Sequence, residues 1–215
     1  MTKLTGPRRD AASGEASALV ILLHGFGSDG NDLIGLADPL APHLPDVTFV
    51  APNAPQKCSV NPMGYQWFPI PWMDGSSEVE MGQGFASSTD ILNAYLDEMA
   101  EEFPAERTIL IGFSQGTMMS LHVGPQRAAQ LAGVIGFSGR LMRPEGLSGA
   151  VSKPPIQLIH GDADEVVPPS SMPEAEKALK AAGFDVSSHV SPGVGHGIAP
   201  DGLSLALHRI RGWLA

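Results

Sequence analysis

Thr108-Ile109-Leu110-Ile111-Gly112-Phe113-Ser114-Gln115-Gly116-Thr117 is the stretch that decides the fold. A short apolar run, residues 108–111, leads into Gly-x-Ser-x-Gly, and a helix-like segment, residues 117–122, follows. The pattern reads as strand, sharp turn, helix. A serine on such a turn projects its oxygen above the edge of a sheet. Glycines at positions −2 and +2 remove side chains that would clash where strand and helix approach. The helix N-terminus sets backbone N–H groups beside the hydroxyl. The bland alternative is a glycine-rich turn with an incidental serine. Ser138 serves as an internal control, in Gly136-Phe137-Ser138-Gly139-Arg140. It also follows an apolar run, but the arginine at +2 precludes close helix packing, so Ser138 reads as a loop residue.

Other apolar runs resemble 108–111: residues 18–23, 47–50, 131–137 and 156–159, each ended by Gly, Pro or Ser or close to one. Continuous apolar runs of this length predict strands buried on both faces, as in a parallel sheet. Residues 186–190 form a weaker, edge candidate. Between the runs lie helical stripes. Phe85, Ile91, Leu92, Tyr95, Leu96, Met99 and Phe103 recur near the 3.6-residue period. Ser170-Ser171, Pro173 and Gly183 punctuate a second helix, and Leu203, Ala206, Leu207, Ile210, Trp213 and Leu214 mark a last one. Alternating strands and helices predict an α/β protein, a mostly parallel central sheet with helices on both faces. No linker divides residues 1–215, so one domain is expected, with residues 1–16 flexible or irregular. Residues 52–84 carry few helical signals. A loop that long is expected to line a site.

Composition narrows the function classes. The 215 residues carry 43% hydrophobic and 17% charged residues and a net charge of −10. The 13 Lys and Arg never cluster beyond pairs, which argues against a nucleic-acid partner. One cysteine, Cys58, forms no internal disulfide or thiolate zinc site. It fits a reducing compartment, and a cytoplasmic location is the expectation. The apolar run at residues 18–23 is far short of the ~20 residues of a membrane-spanning helix, so no transmembrane segment is expected. The mildly basic start, residues 1–9, lacks the long apolar core and cleavage site of a signal peptide.

A hydroxyl needs a base to become a nucleophile. Of seven histidines, His196 lies in Gly193-Val194-Gly195-His196-Gly197, between the last strand and the last helix. His43, His122, His189 and His208 read as structural or exposed. His24 and His160 end strands before a glycine and are harder to dismiss. An orienting acid must fix the imidazole. His160-Gly161-Asp162-Ala163-Asp164-Glu165-Val166-Val167-Pro168 offers Asp162 and Asp164 on one loop, and spacing does not choose between them. Glu165 is a third, weaker carboxylate.

His24-Gly25-Phe26-Gly27-Ser28-Asp29-Gly30 contains Gly-x-Gly-x-x-Gly, the rival signal of a dinucleotide site. The acidic residue such a site places about 20 residues later is missing; Val50-Ala51-Pro52 stands there. The alternative is an oxyanion hole. One backbone N–H comes from the residue after the nucleophile, Gln115, and a second from an early glycine loop, with Phe26 the natural donor.

Together His24-Gly25-Phe26-Gly27, the Gly112–Gly116 pentapeptide, residues 160–168 and Gly195-His196 resemble the phospholipase/carboxylesterase family of α/β-hydrolases. The resemblance runs from about residue 18 to the end. It implies an α/β-hydrolase fold and assigns the acid to Asp164. It also implies that the loop bearing Gln66-Trp67-Phe68 lines an acyl pocket, making Met63, Gly64, Trp67 and Phe68 candidate substrate contacts. The competing reading is that Trp67 and Phe68 pin this loop to the core. Phe68-Pro69-Ile70-Pro71-Trp72 departs from eukaryotic members, which often carry Asp after the aromatic pair.

The expected activity is that of a serine carboxylesterase acting on a small-molecule ester or thioester, with Ser114, His196 and Asp164 as the triad and no cofactor or metal. An acyl-protein thioesterase or lysophospholipase would share the triad. A non-catalytic binding protein of this fold is the alternative of another class, and it would normally have lost a triad member. Exposed aromatics in residues 60–75 offer a surface for a homodimer.

Overall fold

A computed structural model describes residues 3–215; Met1 and Thr2 of the basic N-terminal segment lie outside it. Seven strands form the main sheet in the order β1-β3-β2-β6-β7-β8-β9. They are β1 (Arg8–Arg9), β2 (Ala18–Leu23), β3 (Val47–Val50), β6 (Thr108–Phe113), β7 (Gly133–Phe137), β8 (Ile156–Gly161) and β9 (Val186–Ser191). Every neighbouring pair is parallel except β1 with β3. A separate hairpin pairs β4 (Gln56–Lys57) with β5 (Tyr65–Gln66).

The apolar runs become central strands because each buries both faces. In β2, Leu19, Ile21 and Leu23 enter one core and Ala18, Val20 and Leu22 the other. The first core packs against α4 (Glu78–Met99), α5 (Gln115–Val123) and α6 (Ser171–Ala181) through Phe85, Leu92, Met119 and Leu179. The second packs against α1 (Gly30–Ile34), α2 (Ala37–Leu40) and α7 (Pro200–Trp213) through Leu33, Leu40, Ala206 and Ile210. Helices therefore cover both sheet faces, the architecture of an α/β-hydrolase fold. At the edge, β9 is buried only at its ends, Val186 and Ser191, while its middle residues alternate between partly exposed and exposed, as a half-covered strand does.

Three expectations need correction. Residues 1–16 are not wholly irregular: Arg8–Arg9 pair with β3 and Leu4 is buried. The backbone N–H of Ala51 donates to Pro7 and that of Asn53 to Thr5, which ties the segment to the sheet edge. Residues 52–84 are less loop-like than their composition suggests. They hold the hairpin, the short helix α3 (Pro71–Asp74) and the first turns of α4. That helix starts at Glu78, ahead of its apolar stripe, because Ser77 and Glu80 form a reciprocal capping box. The stripe also overruns the helix: Phe103 is buried beyond its end.

Candidate active site

The C-terminal ends of the parallel strands gather the motifs at one edge. Ser114 stands between β6 and α5 with φ 54° and ψ −113°. A non-glycine residue there is strained, by about 1–3 kcal/mol in comparable cases, and persists only where its surroundings hold it. They do so here. Its N–H donates to Phe137 O at 2.9 Å, and its carbonyl accepts from Met118 at 3.2 Å. Thr117 Oγ1 lies within hydrogen-bond reach of Gly112 O and Phe137 O, at 2.8 and 2.7 Å. A Cβ on Gly112 would strike the Gly116 and Thr117 backbone, and one on Gly116 would strike the Leu23 carbonyl. Both glycines are demanded by backbone approaching backbone.

Asp164 is buried and is the acid that meets His196: Nδ1 lies 2.8 Å from its Oδ2. Its Oδ1 accepts from the N–H groups of Val166 and Val167 at 2.8 and 2.9 Å. His160 Nε2 also lies 3.1 Å from Oδ2 and 3.0 Å from Val167 O. Both neighbours are acceptors, so Nε2 carries the proton and shares it. The carboxylate thus receives N–H groups on both oxygens, which fills its acceptor capacity. Burial pushes its pKa up, but the hydrogen bonds from His196, Val167 and Val166 outweigh that, and it titrates below the usual carboxylate range. Asp162 points elsewhere. Its Oδ1 accepts from Gly193 N at 2.6 Å and braces the start of the His196 loop. The His196 ring lies against Phe113, centroid to centroid 4.9 Å, beside the residue that precedes Ser114. Nε2 of His196 has no hydrogen-bond partner among the described residues.

The first glycine loop closes over the same point. A Cβ on Gly25 would lie 3.2 Å from Ser114 Cβ. Among the described residues the N–H groups of Phe26 and Gln115 donate to no acceptor. Gly27, at φ 77°, is clamped by Tyr65 O, which accepts from its N–H at 2.8 Å, and by Asn61 Nδ2, which donates to its carbonyl at 2.7 Å. A Cβ on Gly64 would strike that same carbonyl.

His24 and His160 turn out to be braces. His24 is fully buried; Nδ1 lies 2.7 Å from Gly25 O and Nε2 accepts from Ala54 N at 2.9 Å. That fixes Nδ1 as the protonated nitrogen. Burial pushes its pKa below the usual imidazole value, against the Gly25 hydrogen bond.

The four candidate pocket residues divide. Trp67, at 0% exposure, and Phe68 are in the core. Trp67 Nε1 donates to His24 O at 3.0 Å, and Phe68 packs edge-on to Phe85 at 5.2 Å. Gln115 holds them from the other side: its Oε1 accepts from Trp67 N at 3.0 Å and its Nε2 donates to Phe68 O at 2.7 Å. In this structure these two side chains have the pinning role. Gly64 is buried, whereas Met63 is 82% exposed. Ser138 also has a left-handed φ of 47° and, like Ser114, is buried, but no helix follows it, and its hydroxyl is unpartnered among the described residues. Asn61 and the Gln115 side chain were not flagged by any motif, because their partners lie far away in sequence. Among the described residues no group of three or more His, Cys, Asp or Glu side chains is arranged to hold a metal ion.

A parallel sheet wrapped by helices, with a strained serine turn at its C-terminal edge, defines an α/β-hydrolase. The chain belongs to the phospholipase/carboxylesterase family, whose model matches residues 8–214. It is 28% identical over 209 residues to acyl-protein thioesterase 1 of Gibberella zeae, covering 89% of this chain and 88% of that one. It is 30% identical over 197 residues to esterase YpfH of Escherichia coli K12, covering 91% and 83%. The crystal structure of esterase PE8 superposes with a TM-score of 0.92 at 44% identity, covering 99% of this chain and all of that one. The protein is therefore a hydrolase. No helix among the described residues is long and apolar enough to cross a membrane.

Proposed function

We propose that the protein is a serine carboxylesterase that cleaves carboxylic esters and thioesters of small molecules through an acyl-enzyme. Ser114 Oγ attacks the carbonyl carbon, and His196 Nε2 accepts its proton. Asp164 keeps the proton of His196 on Nδ1, which leaves Nε2 basic, and stabilises the imidazolium once formed. The N–H groups of Phe26 and Gln115, which donate to no acceptor among the described residues, receive the oxyanion. Collapse of the tetrahedral intermediate expels the alkoxide or thiolate, which takes the proton from His196. Water then attacks the acyl-Ser114 carbonyl and gives its proton to His196; the second tetrahedral intermediate collapses, the bond to Ser114 Oγ breaks, Oγ takes that proton back, and the acid leaves.

The observation that carries this reading is the 2.8 Å contact of His196 Nδ1 with a carboxylate already saturated by N–H donors. It leaves the other imidazole nitrogen free, on a ring packed against Phe113, the residue before the strained serine. The names of the relatives support both ester and thioester substrates. Ser114→Ala tests the reading. Hydrolysis of p-nitrophenyl acetate is expected to fall by about 10⁴-fold or more, with covalent labelling by a fluorophosphonate abolished. Retained labelling and normal turnover would overturn the assignment.

A further inference from the structure

A groove of about 440 Å³ opens at the same sheet edge as Ser114, a volume suited to a small ligand. One wall is the segment after β7 and the other is the start of α6, which follows the Asp164 loop. The chain segment of the first wall passes the serine's backbone just before it enters the groove: a Cβ on Gly139 would lie 3.0 Å from the Ser114 carbonyl oxygen, and Arg140 is the next residue. Met81, Leu141, Met142, Ala175 and Ala178 give the groove an apolar body. Arg140 gives it a charge.

That charge is unsatisfied. The chain has 23 acidic residues against 13 basic ones, yet Arg140 has no carboxylate within ion-pair distance among the described residues. Its guanidinium lies 5.5 Å from the centroid of Trp72, and its Nε contacts Met142 Sδ at 3.3 Å. The ring and the sulfur hold the guanidinium, while its two Nη groups have no hydrogen-bond partner among the described residues. A fixed guanidinium edge with free N–H groups matches a carboxylate or phosphate. Arg143, over the Phe85 ring at 5.0 Å, adds a second cation on the same segment. Glu174 lines the opposite wall without pairing to Arg140; it lies in the first turn of α6, where the helix dipole accommodates it.

We propose that Arg140 is a specificity residue that binds an anionic group, carboxylate or phosphate, carried by the substrate several bonds from the scissile carbonyl. The proposal deepens the serine-esterase reading and rests on it. The net charge of −10 repels anions at long range, so a preference for an anionic ester must come from a local site.

Two substrate pairs separate the sources of the anion. On the acyl side, p-nitrophenyl hydrogen glutarate is compared with p-nitrophenyl methyl glutarate. On the alcohol side, 1-butyryl-glycerol 3-phosphate is compared with 1-butyryl-glycerol. The expected result is a higher kcat/KM for the anionic member of at least one pair. Arg140→Gln should lower that ratio about tenfold to hundredfold, mainly through KM, because a remote group binds equally in ground and transition states. Arg140→Lys should restore part of it, and added salt should reduce it. Arg211→Gln, at the opposite sheet edge, removes the same charge and should leave the ratio unchanged. A wild-type ratio at or below one in both pairs overturns the proposal. So does a ratio that Arg140→Gln does not move, or that Arg211→Gln moves equally. p-Nitrophenyl acetate turnover by wild type and Ser114→Ala reads the underlying mechanism separately, so either idea can fail alone.

Discussion

Replacing Asp164 by Asn gives a sharp forecast because every acceptor site of this carboxylate is assigned. An asparagine can keep its oxygen under the N–H groups of Val166 and Val167, which sit 2.8 and 2.9 Å from Oδ1. Its amide nitrogen must then occupy the place of Oδ2, facing His196 Nδ1 at 2.8 Å and His160 Nε2 at 3.1 Å. Two N–H donors cannot share one line. His160 still has Val167 O at 3.0 Å, so it keeps a partner. His196 has none, and it relaxes by moving its proton to Nε2, the nitrogen that must accept from Ser114. A wrong tautomer with intact geometry costs about 10⁴ in kcat, or roughly 5 kcal/mol in the barrier. Asp162→Asn is the matched control. Among the described residues its Oδ1 accepts only from Gly193 N, and an amide oxygen accepts that bond as well. Less than a tenfold loss is expected there. The assay is steady-state hydrolysis of p-nitrophenyl acetate at neutral pH, with circular dichroism to establish folding of both variants. Tenfold or smaller loss in folded Asp164→Asn, or equal losses in the two variants, would refute the reasoning.

Further expectations concern the scaffold. Gly116→Ala sets a Cβ against the Leu23 carbonyl, where backbone meets backbone; loss of more than about 4 kcal/mol, or no soluble protein, is expected in denaturant titration. Gly82→Ala, inside α4 with nothing near its Cβ, should instead raise Tm by a few degrees, reflecting roughly 1 kcal/mol of helix propensity. Trp67→Phe keeps most of the buried ring but orphans His24 O, for about 1–3 kcal/mol of stability measured by urea unfolding. The unfolded state takes up a proton on His24 near pH 6.5, whereas the folded state resists it. Stability should therefore fall as pH drops below about 6.5, and His24→Gln should flatten that slope. Asp164 acts at lower pH: its contribution is present above about pH 3.9 and lost as pH falls through its depressed folded value.

The strands were readable because burial on both faces leaves few polar positions, such as Thr48 in β3. Residues 18–23 and 47–50 coincide with β2 and β3 for that reason. The start of α4 was hidden because its first turns face solvent and carry no apolar stripe. Its signal was the Ser-x-x-Glu cap at Ser77 and Glu80, which is polar and local. Ser114 and its glycines were legible because a tight turn dictates its own composition. The choice between Asp162 and Asp164 was not legible from spacing. Both sit on one loop, and their difference is the direction of a side chain set by the N–H groups of Val166, Val167 and Gly193. The tasks of His24 and His160 depend on Ala54 N and Val167 O, contributed by neighbouring loops, so the residue type alone left them ambiguous.

Gln115 serves the molecule twice, with its N–H beside Ser114 and its amide clasping Trp67 and Phe68. A second fastening follows at the Ser77–Glu80 cap. Between these two rivets the chain is held by buried Ile70 and by Asp74, which accepts from Ile70 N at 3.0 Å and Ser76 N at 2.9 Å, and it displays Trp72 at 66% exposure. Residues 71–76 thus form a replaceable cassette. Grafting a different rim there would retune what enters the site, while the chemistry stays anchored upstream by a residue the graft never touches.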